Sequence, residues 1–117
     1  MQQQQPVEEA LRQYAAWGAE KKARDIAALK LSELTLICDY FLLMTAANNR
    51  NAQAICDYIV EQAKAAGQPP LRIEGYRDAR WILLDFGSVI IHIFIEEERQ
   101  FYSLERLWSD APLQKFN

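Results

Sequence analysis

Apolar residues recur along this chain at two different periods. Val7, Leu11, Tyr14 and Trp17–Gly18 fall at helical spacing, behind a proline suited to a first helical position. Glu8 and Glu9 suit the positive end of a helix dipole. The spacing predicts a helix over 6–22, with a stripe thin enough to lie on the domain surface. Residues 25–31 predict a short strand and 32–39 a connection. Residues 40–46 are nearly continuous in apolar character, as in a strand buried on both faces. Asn48, Asn49 and Asn51 supply capping chemistry for a second helix. Its stripe is Ala52, Ile55, Cys56, Ile59, Val60 and Ala63. Gly67 ends it as a left-handed cap, and Pro69–Pro70 forbid its continuation. Strands are expected at 71–75, 80–86 and 89–95. A short helix over 96–108 comes next, closed by Asp110-Ala111-Pro112. The order αββαβββα predicts an α/β (α+β) single domain, with helices on a mixed sheet of about five strands. Residues 1–5 are expected to be a flexible lead and 6–117 the domain.

The last two strands carry the most specific signal. Phe86-Gly87-Ser88-Val89 fits a two-residue hairpin turn of type II′, with glycine at its first central position. The register then opposes Asp85 to Ile90, Leu84 to Ile91, Leu83 to His92, Ile82 to Ile93 and Trp81 to Phe94. One face is wholly apolar: Ile82, Leu84, Phe86, Val89, Ile91 and Ile93. That face is predicted to be core. The other face is Trp81, Leu83, Asp85, Ile90, His92 and Phe94. Asp85 and His92 are diagonal neighbours there, close enough for a hydrogen bond that would favour the imidazolium. Two readings of this face stand open. Either it is covered and the pair is a satisfied buried contact, or it is partly open and forms a partner surface. A catalytic Asp–His reading lacks a nucleophile, since Ser88 sits in the turn and Cys38 and Cys56 belong to other elements.

Composition narrows the class. The chain has 117 residues, room for one domain, with 13 basic against 16 acidic residues and net charge −3. That balance argues against a protein devoted to coating nucleic acid or anionic membrane, while leaving room for a small basic patch. Lys21-Lys22-Ala23-Arg24 is such a cluster, at an expected helix end where the dipole favours it. Glu96-Glu97-Glu98 reads as a solvated edge that would also face a basic partner. Two cysteines and one histidine fall short of the four ligands of a structural zinc site, and the cysteines are expected to be buried free thiols. The N-terminal residues have neither a basic nor an apolar signal region, and no apolar run is long enough to span a membrane. No phosphate-loop, zinc-hydrolase or nucleophile-elbow pattern occurs.

Taken together, several segments resemble the ribosomal silencing factor family, also called RsfS or Iojap. The matching residues are Lys21-Lys22-Ala23, Asp25-Ile26 and Leu29; Asp39-Tyr40-Phe41; 53–57; Gly67 and Pro70; Glu74-Gly75; 81–87; 89–94; and Arg99 with 102–108. The combination EG, WILLDFG, HIF and FYSLERLW, in order and tightly spaced, covers nearly the whole chain after its first residues. The resemblance implies a mixed sheet similar to the nucleotidyltransferase core. It also implies a cytoplasmic, non-enzymatic protein without cofactor or metal that binds ribosomal protein uL14 on the large subunit. Such proteins block joining of the small subunit and repress translation under nutrient limitation. The residues agree that phosphoryl transfer is absent, because no Asp-x-Asp comes after Gly87-Ser88 to hold a metal.

The expected uL14-binding residues are Trp81, Leu83, Asp85, His92, Phe94, Tyr102, Leu104 and Trp108, with Trp81 and Phe94 as anchors. Lys21, Lys22, Arg80, Glu97 and Arg99 are candidate secondary contacts, with a peripheral rRNA contact in view. The alternatives are a degenerate nucleotidyltransferase and a homodimer that hides the same face when free. One departure stands out. The family carries Thr-Gly and a serine-rich segment where this chain has Thr45-Ala46-Ala47-Asn48-Asn49-Arg50, so any left-handed geometry that the glycine supports is in doubt here.

Overall fold

The computed structural model describes residues 6–117; the expected lead at 1–5 lies outside them. In chain order the elements are α1 (Val7–Glu20), β1 (Arg24–Lys30), β2 (Tyr40–Ala46), α2 (Asn49–Ala65), β3 (Arg72–Glu74), β4 (Trp81–Asp85), β5 (Val89–Ile95), α3 (Glu96–Tyr102), α4 (Leu104–Leu107) and β6 (Leu113–Lys115). The six strands form one sheet in the order β3-β4-β5-β2-β1-β6. Only β2 and β5 run parallel, in seven consecutive pairs from Tyr40 opposite Val89 to Ala46 opposite Ile95. The α2 crossover makes that pairing possible, since parallel neighbours need a long connection. The hairpin register is the expected one, from Trp81 opposite Phe94 to Asp85 opposite Ile90.

Strand alternation produces two layers of core. On one face α1 and α2 cover Ile26, Ala28, Leu42, Met44, Ile82, Leu84, Val89, Ile91 and Ile93. The helices offer the spacing this needs: Leu11, Tyr14, Ala15 and Gly18 are buried on α1, and Ala52, Ile55, Cys56, Ile59 and Ala63 on α2. Phe86 stacks on Tyr14 at 4.6 Å, locking the hairpin turn under α1. On the other face Leu29, Leu31, Leu43, Ile90 and Phe94 are covered by Cys38, Leu104 and Ala111. Every residue of β5 is buried, so this strand needs a lid on both sides.

The C-terminal segment supplies the second lid, and here the fold differs from expectation. The helix expected over 96–108 is two, because Ser103 adopts a left-handed conformation at φ 43°. That reversal lets Leu104 turn inward while Phe101 and Leu107 face solvent. A sixth strand then forms, with Leu113–Lys115 antiparallel to Ala27–Leu29. Its three exposed residues, Leu-Gln-Lys, give no alternation by which a strand could be read. Arg99 pins the segment down. Its guanidinium donates to Thr45 Oγ1 at 2.8 Å, to the Asp25 carbonyl, and to Glu105 Oε2 through Nη2 at 2.8 Å. Asp25 sits in the β1 bulge at φ 49°, which turns that carbonyl out of the ladder.

The asparagine segment needs no glycine. Asn48 is extended (φ −164°), caps α2 through Asn51 N–H at 2.8 Å, and no residue from 45 to 50 has a positive φ. The departure from the family pattern therefore leaves the backbone unstrained. At Gly75 a glycine is required. That residue has φ 79°, and a Cβ would stand 2.1 Å from the Trp81 carbonyl oxygen. Gly67 has a similar φ of 77° but open space around it. Gly67→Ala should therefore cost about 1–2 kcal/mol, the left-handed strain alone. Gly75→Ala should cost clearly more, because backbone must also move. Urea midpoints of the two variants check this, and equal losses would contradict it.

Candidate functional site

Trp81, Phe94, His92 and Leu83 share the outer face of the β4–β5 hairpin because alternate residues of a strand point the same way. The parallel register with β2 adds Phe41, which lies opposite Ile90. The tail adds Tyr102 and Trp108. The result is a continuous aromatic cluster. Ring centroids are 4.9 Å apart for Trp81–Phe94, 4.7 Å for Trp81–Tyr102, 4.5 Å for Phe41–His92 and 6.1 Å for Phe41–Trp108. Spacings of this order suit aromatic pairs, so each ring holds its neighbour in place.

The cluster has a buried floor and a half-open top. Phe94 is 1% exposed, His92 4% and Leu104 9%. All three are among the expected partner-binding residues; Phe94 and Leu104 belong to the second core cluster, and His92 lies among Phe41, Trp81 and Phe94. They support the face from beneath, so Phe94 cannot be an anchor that a partner touches directly. Trp81, Leu83, Phe41 and Trp108 are half-buried, and Tyr102 is 45% exposed. Beside Tyr102 stand exposed apolar side chains that sequence reasoning does not assign to the site, Phe101 and Leu107. The break at Ser103 splits the expected helix; Leu104 is buried, while Phe101 and Leu107 are left facing solvent. Both line a shallow recess of about 500 Å³ with Tyr102 and Arg106. Phe41 was hidden because its face depends on a long-range parallel register.

The polar pair is not a pair. Asp85 turns toward the hairpin, where Oδ1 accepts the Gly87 N–H at 2.8 Å and Oδ2 accepts Arg72 Nε at 3.2 Å. The turn N–H lies two residues away in the chain, so the carboxylate takes it in preference to the diagonal imidazole. His92 instead accepts the Trp81 indole N–H on Nδ1 at 2.9 Å. Its proton therefore sits on Nε2, which is buried with no hydrogen-bond partner among the described residues. Burial drives the His92 pKa down to about 4, the reverse of the expected shift toward imidazolium. The Trp81 bond reinforces this, since it uses the lone pair a second proton would need.

The secondary candidates separate. Arg99 is the tail's anchor, its side chain 10% exposed, and is not free for a partner. Arg80 is exposed and bound to Glu98 at 2.6 Å. Lys21, Lys22 and Glu97 are exposed. Both cysteines are buried free thiols, and burial pushes Cys38 up to about 11 and Cys56 to about 12, so neither is a nucleophile at neutral pH. Among the described residues no cluster of three metal-ligating side chains occurs, and no helix is long and apolar enough to cross a membrane. The arrangement can bind a surface by burying aromatic area.

Known proteins bear on this geometry. The family described as "Ribosomal silencing factor during starvation" matches residues 4–117. The chain is similar to ribosomal silencing factor RsfS of Bacillus subtilis, 43% identical over 94 residues, 80% of each chain. It is also similar to a mouse protein named for mitochondrial assembly of the ribosomal large subunit, 32% identical over 93 residues, which are 77% of this chain and 41% of that one. A crystal structure of a Chromobacterium violaceum protein superposes with a TM-score of 0.87, at 27% identity, covering 90% of this chain and 88% of that one.

His92 is the only histidine, so its ring signals are unambiguous by NMR. The signals should stay in the neutral form from pH 8 down to about 5, and a midpoint near 6.5 would contradict the buried geometry. The unfolded chain takes up this proton near 6.5 and the folded chain only near 4. Stability from this group is therefore complete above about pH 6.5 and is lost as pH falls toward 4, by about 3 kcal/mol in all. His92→Gln should flatten the fall between pH 6.5 and 5.

Proposed function

The chain belongs to the ribosomal silencing factor family, and on that premise we propose that it acts by occupying a surface of the large ribosomal subunit. The partner under the aromatic face is ribosomal protein uL14. Occupation blocks joining of the small subunit and so represses translation when nutrients are short. The action is steric, in the cytoplasm, with no reaction catalysed and no cofactor.

The observation that carries the reading is the half-open aromatic cluster of Trp81, Tyr102, Phe41 and Trp108, ringed by exposed Phe101 and Leu107. Large rings held rigid by their neighbours and flanked by polar groups have the composition of an interface core. The net charge of −3 suits docking on a basic ribosomal protein. The mouse relative's name points to the same subunit. Phe101 and Leu107 also favour a second use of the face, pairing with another copy of this chain in the free state. Light scattering across concentration would then show a dimer that Leu107→Glu dissociates.

Co-sedimentation with purified large subunits, followed by a subunit-joining assay, tests the main reading. Trp81→Ala should weaken binding by about 2–4 kcal/mol and restore joining. Because Trp81 also covers His92, Tyr102→Ala serves as a second variant with less packing at stake. Unchanged binding in both folded variants would show that the face is wrongly assigned.

A further inference from the structure

Five cations converge on one turn of α2. Lys21 and Lys22 come from the connection into β1, Arg24 from the first position of β1, Arg50 from the first turn of α2, and Arg77 from the loop between β3 and β4; all are exposed. Hydrogen bonds place these segments side by side. Asn51 Nδ2 donates to the Lys21 carbonyl at 3.1 Å, Asn49 Nδ2 to the Asp78 carbonyl at 2.8 Å, and Gln53 Nε2 to the Tyr76 carbonyl at 3.0 Å. Arg24 lies opposite Thr45, three residues before the cap at Asn48. Segments 21–25, 48–53 and 75–79 hold these five cations against two carboxylates, Asp25 and Asp78. Within a chain of net charge −3, these three segments by themselves carry a net +3.

The grouping is not what stability alone would select. Lys21 caps the C-terminus of α1, where the dipole favours it, and its ammonium lies over the Tyr58 ring at 4.9 Å. No such account covers Arg50. It stands at the positive end of a 17-residue helix whose first turn holds no acid, while α1 and α3 open with Glu8–Glu9 and Glu96–Glu98. Arg72, Arg80 and Arg99 are all ion-paired, whereas Lys22, Arg24, Arg50 and Arg77 make no ion pair among the described residues. The exposed, long, separately rooted side chains suit a repeating anion better than one small ligand in a cavity. The region also borders the aromatic face: the Arg80 carbonyl beside Trp81 accepts the Ile95 N–H at the same end of the sheet.

We propose that this basic end of the sheet grips the phosphate backbone of ribosomal RNA next to the protein on which the aromatic face docks. The proposal rests on the reading of the chain as a large-subunit binder. RNA is held here without base readout, so the contact adds affinity and orientation that fall with salt.

The test compares large-subunit binding across a series of potassium chloride concentrations. The site triple Lys22→Gln/Arg24→Gln/Arg50→Gln is set against a control triple of equal charge change elsewhere, Arg12→Gln/Lys30→Gln/Lys64→Gln. The site triple should flatten the slope of log K against log salt by roughly 0.7–0.9 for each phosphate that is no longer neutralised. The control should keep the slope of the unmodified protein. An unchanged slope in the site triple, or equal flattening in both triples, overturns the proposal. If the unmodified protein fails to sediment with large subunits, the functional reading itself fails. Arg50→Glu guards against a folding artefact. An acid at that helix end should raise the melting midpoint while binding weakens, whereas binding unchanged or strengthened would count against an RNA contact.

Discussion

The parallel pairing of β2 with β5 is the constraint on which the rest depends. Seven register pairs put the two most apolar strands at the centre of the sheet, and β5 is buried along its whole length. A strand in that position must be covered on both faces. The first cover is supplied by α1 and α2, whose stripes match it. The second has to come from the residues beyond β5, and that requirement shapes the C-terminal end of the chain. Ser103 takes a left-handed turn so that Leu104 can reach the sheet, and Arg99 ties the tail to Thr45, Asp25 and Glu105. Charge-assisted bonds of this kind are stronger than neutral ones.

That second cover is incomplete, and the face proposed to meet a partner is the part left open. Leu104 and Ala111 close over Leu29, Ile90 and Phe94, but Trp81, Phe41 and Trp108 remain half-exposed. The same packing fixes the chemistry of His92. Closed over by its neighbours, with one nitrogen engaged by the Trp81 indole, it is held neutral and serves as a brace for that ring. The face is therefore rigid before any partner arrives, and rigid aromatic area loses little side-chain entropy on binding.

Much of this was legible in the sequence, for identifiable reasons. The hairpin register could be read because alternation, turn chemistry and opposed apolar residues agreed, and all the strand pairs from Trp81–Phe94 to Asp85–Ile90 obey it. The α2 stripe was legible because its period ran unbroken between an asparagine cap and Gly67. The features that escaped were non-local. Strand β6 has no pattern of its own and exists only because β1 offers an edge. Phe41 joins the aromatic cluster through a parallel register set by residues some fifty positions away. Asp85 and His92 were correctly placed on one face, but alternation says nothing about which neighbour a carboxylate turns to, and the nearer turn N–H won. The burial of Leu104, Phe94 and His92 escapes the local pattern, because Leu104 reaches the sheet only through the break at Ser103 and the rings around His92 come from distant segments.

The half-open aromatic face, and not the body of α1, is the surface proposed to dock on the large-subunit protein. Hydroxyl-radical footprinting read by mass spectrometry addresses this directly, because the three tryptophans form an internal comparison. Trp81 and Trp108 lie on the proposed face, while Trp17 is half-buried on α1, packed against the core under the sheet's other face. On binding large subunits, oxidation of Trp81, Trp108, Phe101 and Tyr102 should fall while that of Trp17 is unchanged. Protection of Trp17 with the aromatic face still oxidised would contradict the account.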